Sequence, residues 1–164
     1  MNRALILGTG LIGASVGAGL SSRGWHVAGW DPDPGALAQA EEMGAVSEAV
    51  SDPHAAAREF DLVVLCGPAA AIIETLPHLD TDALVTDVAG VKSPIVRAAR
   101  HLPRFVGGHP MAGRETSGPG AASAAMFLGA AWILTEDGAV EADLKAMEET
   151  VQELGAYPVR MSAE

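Results

Sequence analysis

A chain of 164 residues is long enough to bury one α/β core and too short for two generous domains. Its apolar residues, 49% of the total and spread along the whole length, exclude a disordered or linker-type chain. Ten Lys and Arg against twenty-one Asp and Glu give a formal charge of -11, which repels polyanions at long range and excludes nucleic acid as the expected partner.

Residues 4–7 form a short apolar run that reads as the first strand. Behind Arg3 the apolar stretch continues to Leu20, as a secretory leader would. Glycines at 8, 10, 13, 17 and 19 interrupt it, so neither a leader nor a membrane span is expected. Residues 26–30 read as a second strand. Asp33 with Pro34 supplies an N-cap oxygen and a first-turn proline for the next helix, which Gly44 ends. Asp52 with Pro53 repeats the device. Further strands are expected at 62–66, 84–88, 105–106, 132–134 and 157–161. The last helix is marked by Val140, Leu144, Met147, Val151 and Leu154, one apolar stripe at helical spacing beside Glu141, Asp143, Glu148 and Glu149, which read as a solvated face. Short strands alternating with helices predict one α/β domain over residues 1–164, with a doubly wound, mainly parallel sheet. The one cysteine, Cys66, allows no intramolecular disulfide and no cysteine-rich zinc site. No metal site is expected, and a cytoplasmic, reducing setting fits best.

Gly8-Thr9-Gly10-Leu11-Ile12-Gly13 is a G-x-G-x-x-G sequence directly after the first strand and at the start of a helix, the context a Rossmann-type dinucleotide site requires. The first glycine permits the tight turn, the second lets backbone approach a pyrophosphate, and the third lets helix and sheet pack closely. Free N–H groups of Leu11 and Ile12 then face the phosphates. Asp31 ends the second strand, where a carboxylate accepts hydrogen bonds from both ribose hydroxyls and repels a 2′-phosphate. No Arg or Lys follows it before Pro34, so NAD is expected rather than NADP. Gly67, Pro68 and Ala69 follow another strand on the same ligand-facing edge and are expected beside the cofactor. Cys66 reads as a small buried hydrophobe, since it closes an apolar strand with no base nearby.

Two stretches are less generic: Thr86-Asp87-Val88-Ala89-Gly90-Val91-Lys92, and the run from Gly107 to Gly118 that contains His109, Pro110, Arg114 and Glu115. Both follow strands and fall on the same edge as the phosphate loop. His109, at a strand end within a glycine-rich loop, has two readings. It is either the base that takes an alcohol proton while NAD takes the hydride, or a turn residue held by Pro110. His26, His54, His78 and His101 have no motif around them. Arg114 reads as a surface residue.

Together, the glycine loop, Thr86-Asp87 through Lys92, and Gly108-His109-Pro110-Met111-Ala112-Gly113 with Glu115 and Ser117-Gly118 resemble the prephenate dehydrogenase family across essentially the whole chain. The resemblance implies oxidation of prephenate by NAD, with loss of carbon dioxide and formation of 4-hydroxyphenylpyruvate on the way to tyrosine. Arogenate is the alternative substrate, and a non-catalytic dinucleotide-binding module the alternative function. It makes His109 the catalytic base and puts Val88 and Gly90 beside the cofactor. Glu115 becomes a residue at the active-site mouth; its other reading is a helix-start carboxylate at the 121–125 segment. Family members commonly carry Ser where this chain has Gly90, so a water or Ser93 is expected to replace that hydroxyl. They also continue into an all-helical domain that dimerises and closes the cleft. The chain is therefore expected to be the NAD-binding part of a longer two-domain enzyme, homodimeric in full and poorly active as this part alone.

Overall fold

Residues Ala4, Leu5, Ile6 and Leu7 are at most 6% exposed although their side chains alternate between two faces, so the strand that carries them must be covered on both sides. In the computed structural model, which describes residues 2–112 and 118–164, that strand lies inside a six-stranded parallel sheet. The strands are β1 (Arg3–Leu7), β2 (His26–Trp30), β3 (Glu48–Ala49), β4 (Leu62–Leu65), β5 (Leu84–Asp87) and β6 (Phe105–Val106). Their order is β3-β2-β1-β4-β5-β6. Chain direction across the sheet therefore reverses between β1 and β4, and the crevice beyond their carboxyl ends is where open α/β sheets take ligands.

Ala4 and Ile6 face one core with Ala14, Val16 and Leu20 of α1 (Leu11–Ser21) and Leu144, Met147 and Val151 of α6 (Glu141–Glu153). Leu5 and Leu7 face the other, with Ile72 of α4 (Ala69–Thr75) and Ile95 of α5 (Ser93–Ala98). Two helices begin as expected. Asp33 accepts from Gly35 N at 2.9 Å at the start of α2 (Pro34–Glu42), and Asp52 from His54 N at 3.1 Å at α3 (Pro53–Ala56). Gly44, at φ +79°, ends α2 in the left-handed region. Among the described residues no helix is long and apolar enough to cross a membrane.

The last strands do not join the parallel sheet. After β6 the chain turns at Gly107 into β7 (Gly108–Pro110), which pairs antiparallel with β8 (Ala131–Thr135); β8 in turn pairs parallel with β9 (Tyr157–Met161). This second, three-stranded sheet corrects the expectation of one. Its cause is local: β6 is two residues long, and a Cβ on Gly108 would lie 2.6 Å from the Asp87 carbonyl oxygen and 2.9 Å from Trp132 Nε1, so only glycine lets the strands cross this closely. The acidic face of α6 also needs correction. Asp143 is 3% exposed and accepts from Arg104 Nε at 2.7 Å, while Glu141 and Glu148 both hold Arg160. Residue 140 caps the helix and is exposed; Leu144, Met147, Val151 and Leu154 are the buried stripe. No α-helix covers 121–125, where a single 3-10 turn, Pro119–Ala121, is followed by turns.

Candidate active site

The three loop glycines are required for three different reasons. Gly8 sits at φ +103°, its N–H donates to Trp30 O at 2.8 Å, and a Cβ there would meet the Cys66 carbonyl carbon at 3.0 Å. At Gly13 a Cβ would lie 1.8 Å from the Gly8 carbonyl oxygen, so the loop folds directly onto the helix that follows. Gly10 is the exception: a Cβ there meets no protein atom within 4 Å. Gly10 is also the N-cap of α1, and no side chain caps that end, so the first amides of the helix point at open space. Packing explains Gly8 and Gly13, and the open space beside Gly10 is a cradle a side chain would fill.

That space belongs to a cavity of about 650 Å³ at the carboxyl edge of the sheet. Gly8, Gly10 and Asp31 line it together with Gly67, Pro68 and Ile72, and Pro53 and His54 also belong to its lining. Thr9 is fully enclosed, its N–H and hydroxyl both donating to Asp31 Oδ2, at 2.7 and 3.1 Å; Asp33 N donates to Oδ1 at 2.8 Å. His54, which carried no motif, is therefore a cavity residue that sequence reading missed; the cue available was its place directly after the Asp52 cap, at a strand-following turn. Ala69 begins α4 just behind Pro68.

Cys66 also lines the cavity. Burial first, and the Asp87 charge second, push its thiol well above the ordinary range, consistent with a packing role rather than nucleophilic use.

His109 lies at the centre of β7, not in a loop. Its Nδ1 is 3.3 Å from Val88 O. A carbonyl only accepts, so Nδ1 carries the proton and Nε2 of the neutral ring keeps its lone pair. The half-buried ring lies beside Gly90, where a Cβ would stand 3.4 Å from Cε1 and 3.5 Å from Nε2. Val88 and Gly90 thus frame His109 rather than the large cavity. Ser93 does not reach it: its hydroxyl donates to Ala163 O at 3.2 Å, which leaves water as the candidate for the hydroxyl absent at position 90. Gly113, Arg114 and Glu115 lie outside the described residues.

Sequence reading quoted Asp87 and Lys92 but gave them no role. In the fold they form an ion pair, 0% and 8% exposed, under the His109 strand. Asp87 Oδ1 accepts from Gly108 N at 3.2 Å, and Oδ2 from Ala89 N at 3.0 Å as well as from Lys92 Nζ. One carboxylate therefore ties the Val88 turn to the residue before His109. Desolvation pushes the Asp87 carboxyl up and the Lys92 amine down, and in each case the partner's charge opposes the shift. The available signal was a lone lysine five residues after a strand-ending aspartate.

The family model described as prephenate dehydrogenase, nucleotide-binding domain, matches residues 16–159. A relative named as a probable prephenate dehydrogenase, NovF, of Streptomyces niveus is 37% identical over 174 residues, spanning 100% of this chain and 46% of its own length. The crystal structure of Aquifex aeolicus prephenate dehydrogenase in complex with hydroxyphenyl propionate and NAD+ superposes with a TM-score of 0.88 at 30% identity, covering 99% of this chain and 60% of that one. Synechocystis arogenate dehydrogenase gives 0.86 at 30% identity, with 99% and 60% covered. The chain spans about half the length of the curated relatives it matches.

Proposed function

The chain belongs to the prephenate dehydrogenase family, and from that premise we propose that it binds NAD along the carboxyl edge of its parallel sheet and serves the oxidative decarboxylation of prephenate. The observation that carries the reading is the half-buried His109 imidazole, whose Nδ1 is held by Val88 O and whose Nε2 lies beside the side-chain-free Gly90.

The open space at Gly10 and the uncapped first turn of α1 fit a pyrophosphate, and Asp31 fits a ribose hydroxyl. Gly67 and Pro68 line the same cavity, and in this reading the cofactor extends past Ala69 toward Val88 and Gly90, which stand beside His109. NAD bound there supplies the hydride acceptor. The chain's own contribution is proton transfer and orientation. His109 Nε2 accepts the proton of the ring hydroxyl, and the Val88 carbonyl stabilises the imidazolium that results. Asp87 and Lys92 hold β7 and the Val88 turn in register, so that this nitrogen stays aimed. Glu115 is proposed at the mouth of the site. Val91 and Met111, which follow Gly90 and Pro110 in the chain, are 51% and 58% exposed and offer apolar surface to a covering wall. We propose that the longer protein supplies that wall, and with it dimerisation, in the cytoplasm.

The same half-site fits arogenate, whose dehydrogenase from Synechocystis superposes equally well. Comparing kcat/KM for the two substrates separates these readings. The test of the function itself has two arms. Calorimetry on this chain is expected to detect NAD binding. In a polypeptide extended to the length of its relatives, His109→Asn is expected to lower kcat by about 10²- to 10⁴-fold with NAD affinity unchanged. Unchanged turnover in that variant removes the histidine from the mechanism, and absence of NAD binding removes the cofactor.

A further inference from the structure

We propose that the Thr9 hydroxyl is a specificity-determining group, which pins the Asp31 carboxylate and so sets the choice between a dinucleotide with a free adenosine 2′-hydroxyl and one with a 2′-phosphate. The inference rests on the NAD reading above and goes beyond it, since it gives Thr9 a role exerted through the carboxylate that it hydrogen-bonds.

A carboxylate offers about four acceptor positions. In Asp31 three are taken: Oδ2 receives Thr9 N at 2.7 Å and Thr9 Oγ1 at 3.1 Å, and Oδ1 receives Asp33 N at 2.8 Å. One position on Oδ1 remains for a ligand. Asp31 therefore accepts one ribose hydroxyl in this arrangement, not the two that sequence position suggests.

Thr9 cannot easily release its share. The residue is 0% exposed and β-branched, which restricts its χ1. Its methyl group rests over Gly29, where a Cβ would come within 3.2 Å of Thr9 Cγ2. A strand glycine thus makes the room in which the threonine rotamer sits.

Repulsion between a carboxylate and a phosphate discriminates only as far as the carboxylate is unable to turn aside. Among the described residues lining the cavity there is no Arg or Lys to relieve that repulsion, and Asp52 and Glu74 add to it. The two amide donors remain after any substitution at position 9. The hydroxyl is the contact that can be removed singly, and without it the carboxylate gains rotational freedom and yields to the larger anion.

The experiment is calorimetric titration of NAD and NADP into the wild-type chain, Thr9→Val and Thr9→Ser, with thermal melts of each. Valine keeps the shape of threonine and loses the donor; serine keeps the donor. The expected result is that T9V lowers the NAD-over-NADP affinity ratio about three- to tenfold, the worth of one hydrogen bond, while T9S stays near the wild-type ratio. A purely structural role weakens both dinucleotides together and leaves the ratio where it was, which overturns the proposal, as does a ratio that rises. Should T9V not fold, T9A is read in the same way. Wild-type protein that binds neither dinucleotide, or prefers NADP, overturns the NAD reading itself and the inference with it.

Discussion

Lys92 and Asp87 bring opposite charges into a region where either alone would cost several kcal/mol to desolvate. Two backbone amides and one ammonium take three of the carboxylate's roughly four acceptor positions, so its removal and the removal of its partner have different consequences. K92M leaves an enclosed anion and is expected to destabilise the fold by about 3–5 kcal/mol, measured by urea or thermal denaturation at pH 7. D87N/K92M removes both charges and is expected to recover most of the loss. The pH dependence of K92M follows from the direction of the Asp87 shift. Desolvation raises this carboxyl in the folded state, and without Lys92 only the Ala89 and Gly108 amides oppose it. A group raised on folding favours the fold below its unfolded value, ordinarily about 3.9, and loses that contribution as pH rises through the folded value. The K92M penalty is therefore expected to shrink near pH 4 and grow toward neutrality. A variant with wild-type stability at pH 7 would show that the pair does not hold the His109 strand.

At the scale of elements, α1 and the loop before it separate the two uses of glycine by experiment. Gly13→Ala drives a methyl into the Gly8 carbonyl and is expected to destabilise the chain by about 1–3 kcal/mol. Gly10→Ala meets no atom, and its φ of -73° suits any residue, so stability should change by less than about 0.5 kcal/mol. NAD affinity should nevertheless fall by about tenfold or more, because the methyl occupies the cradle. A G10A protein that binds NAD normally places the pyrophosphate elsewhere. The loop, α1, the caps at Asp33 and Asp52 and most parallel strands were legible because each rests on local rules: period, capping oxygen, turn glycine. β7 was not legible. Three residues, Gly-His-Pro, carry no alternation, and the pairing partner lies more than twenty residues further along the chain. The acidic face of α6 misled for a similar reason, since Arg104 and Arg160 reach it only through tertiary structure.

For the molecule as a whole, the charge of -11 was plain from composition, but its bearing on the site depends on where the carboxylates stand. Asp31, Asp52 and Glu74 line the cavity, and among the described residues lining it no Arg or Lys answers them. The proposed ligands are anions, so binding relies on aimed amides at short range while the long-range field opposes approach. Salt weakens the second effect much more than the first. The Debye length falls from about 30 Å at 0.01 M to about 8 Å at 0.15 M, a change that removes repulsion from distant carboxylates and leaves a contact at hydrogen-bond distance nearly intact. The association rate of NAD, followed by stopped-flow quenching of tryptophan fluorescence from Trp30 at the cavity wall, should therefore rise about two- to fivefold over this range. NADP, with its additional phosphate, should respond more strongly. A rate that falls with salt would mean that basic groups steer the ligand, and the approach path would then have to run past cations other than those lining this cavity.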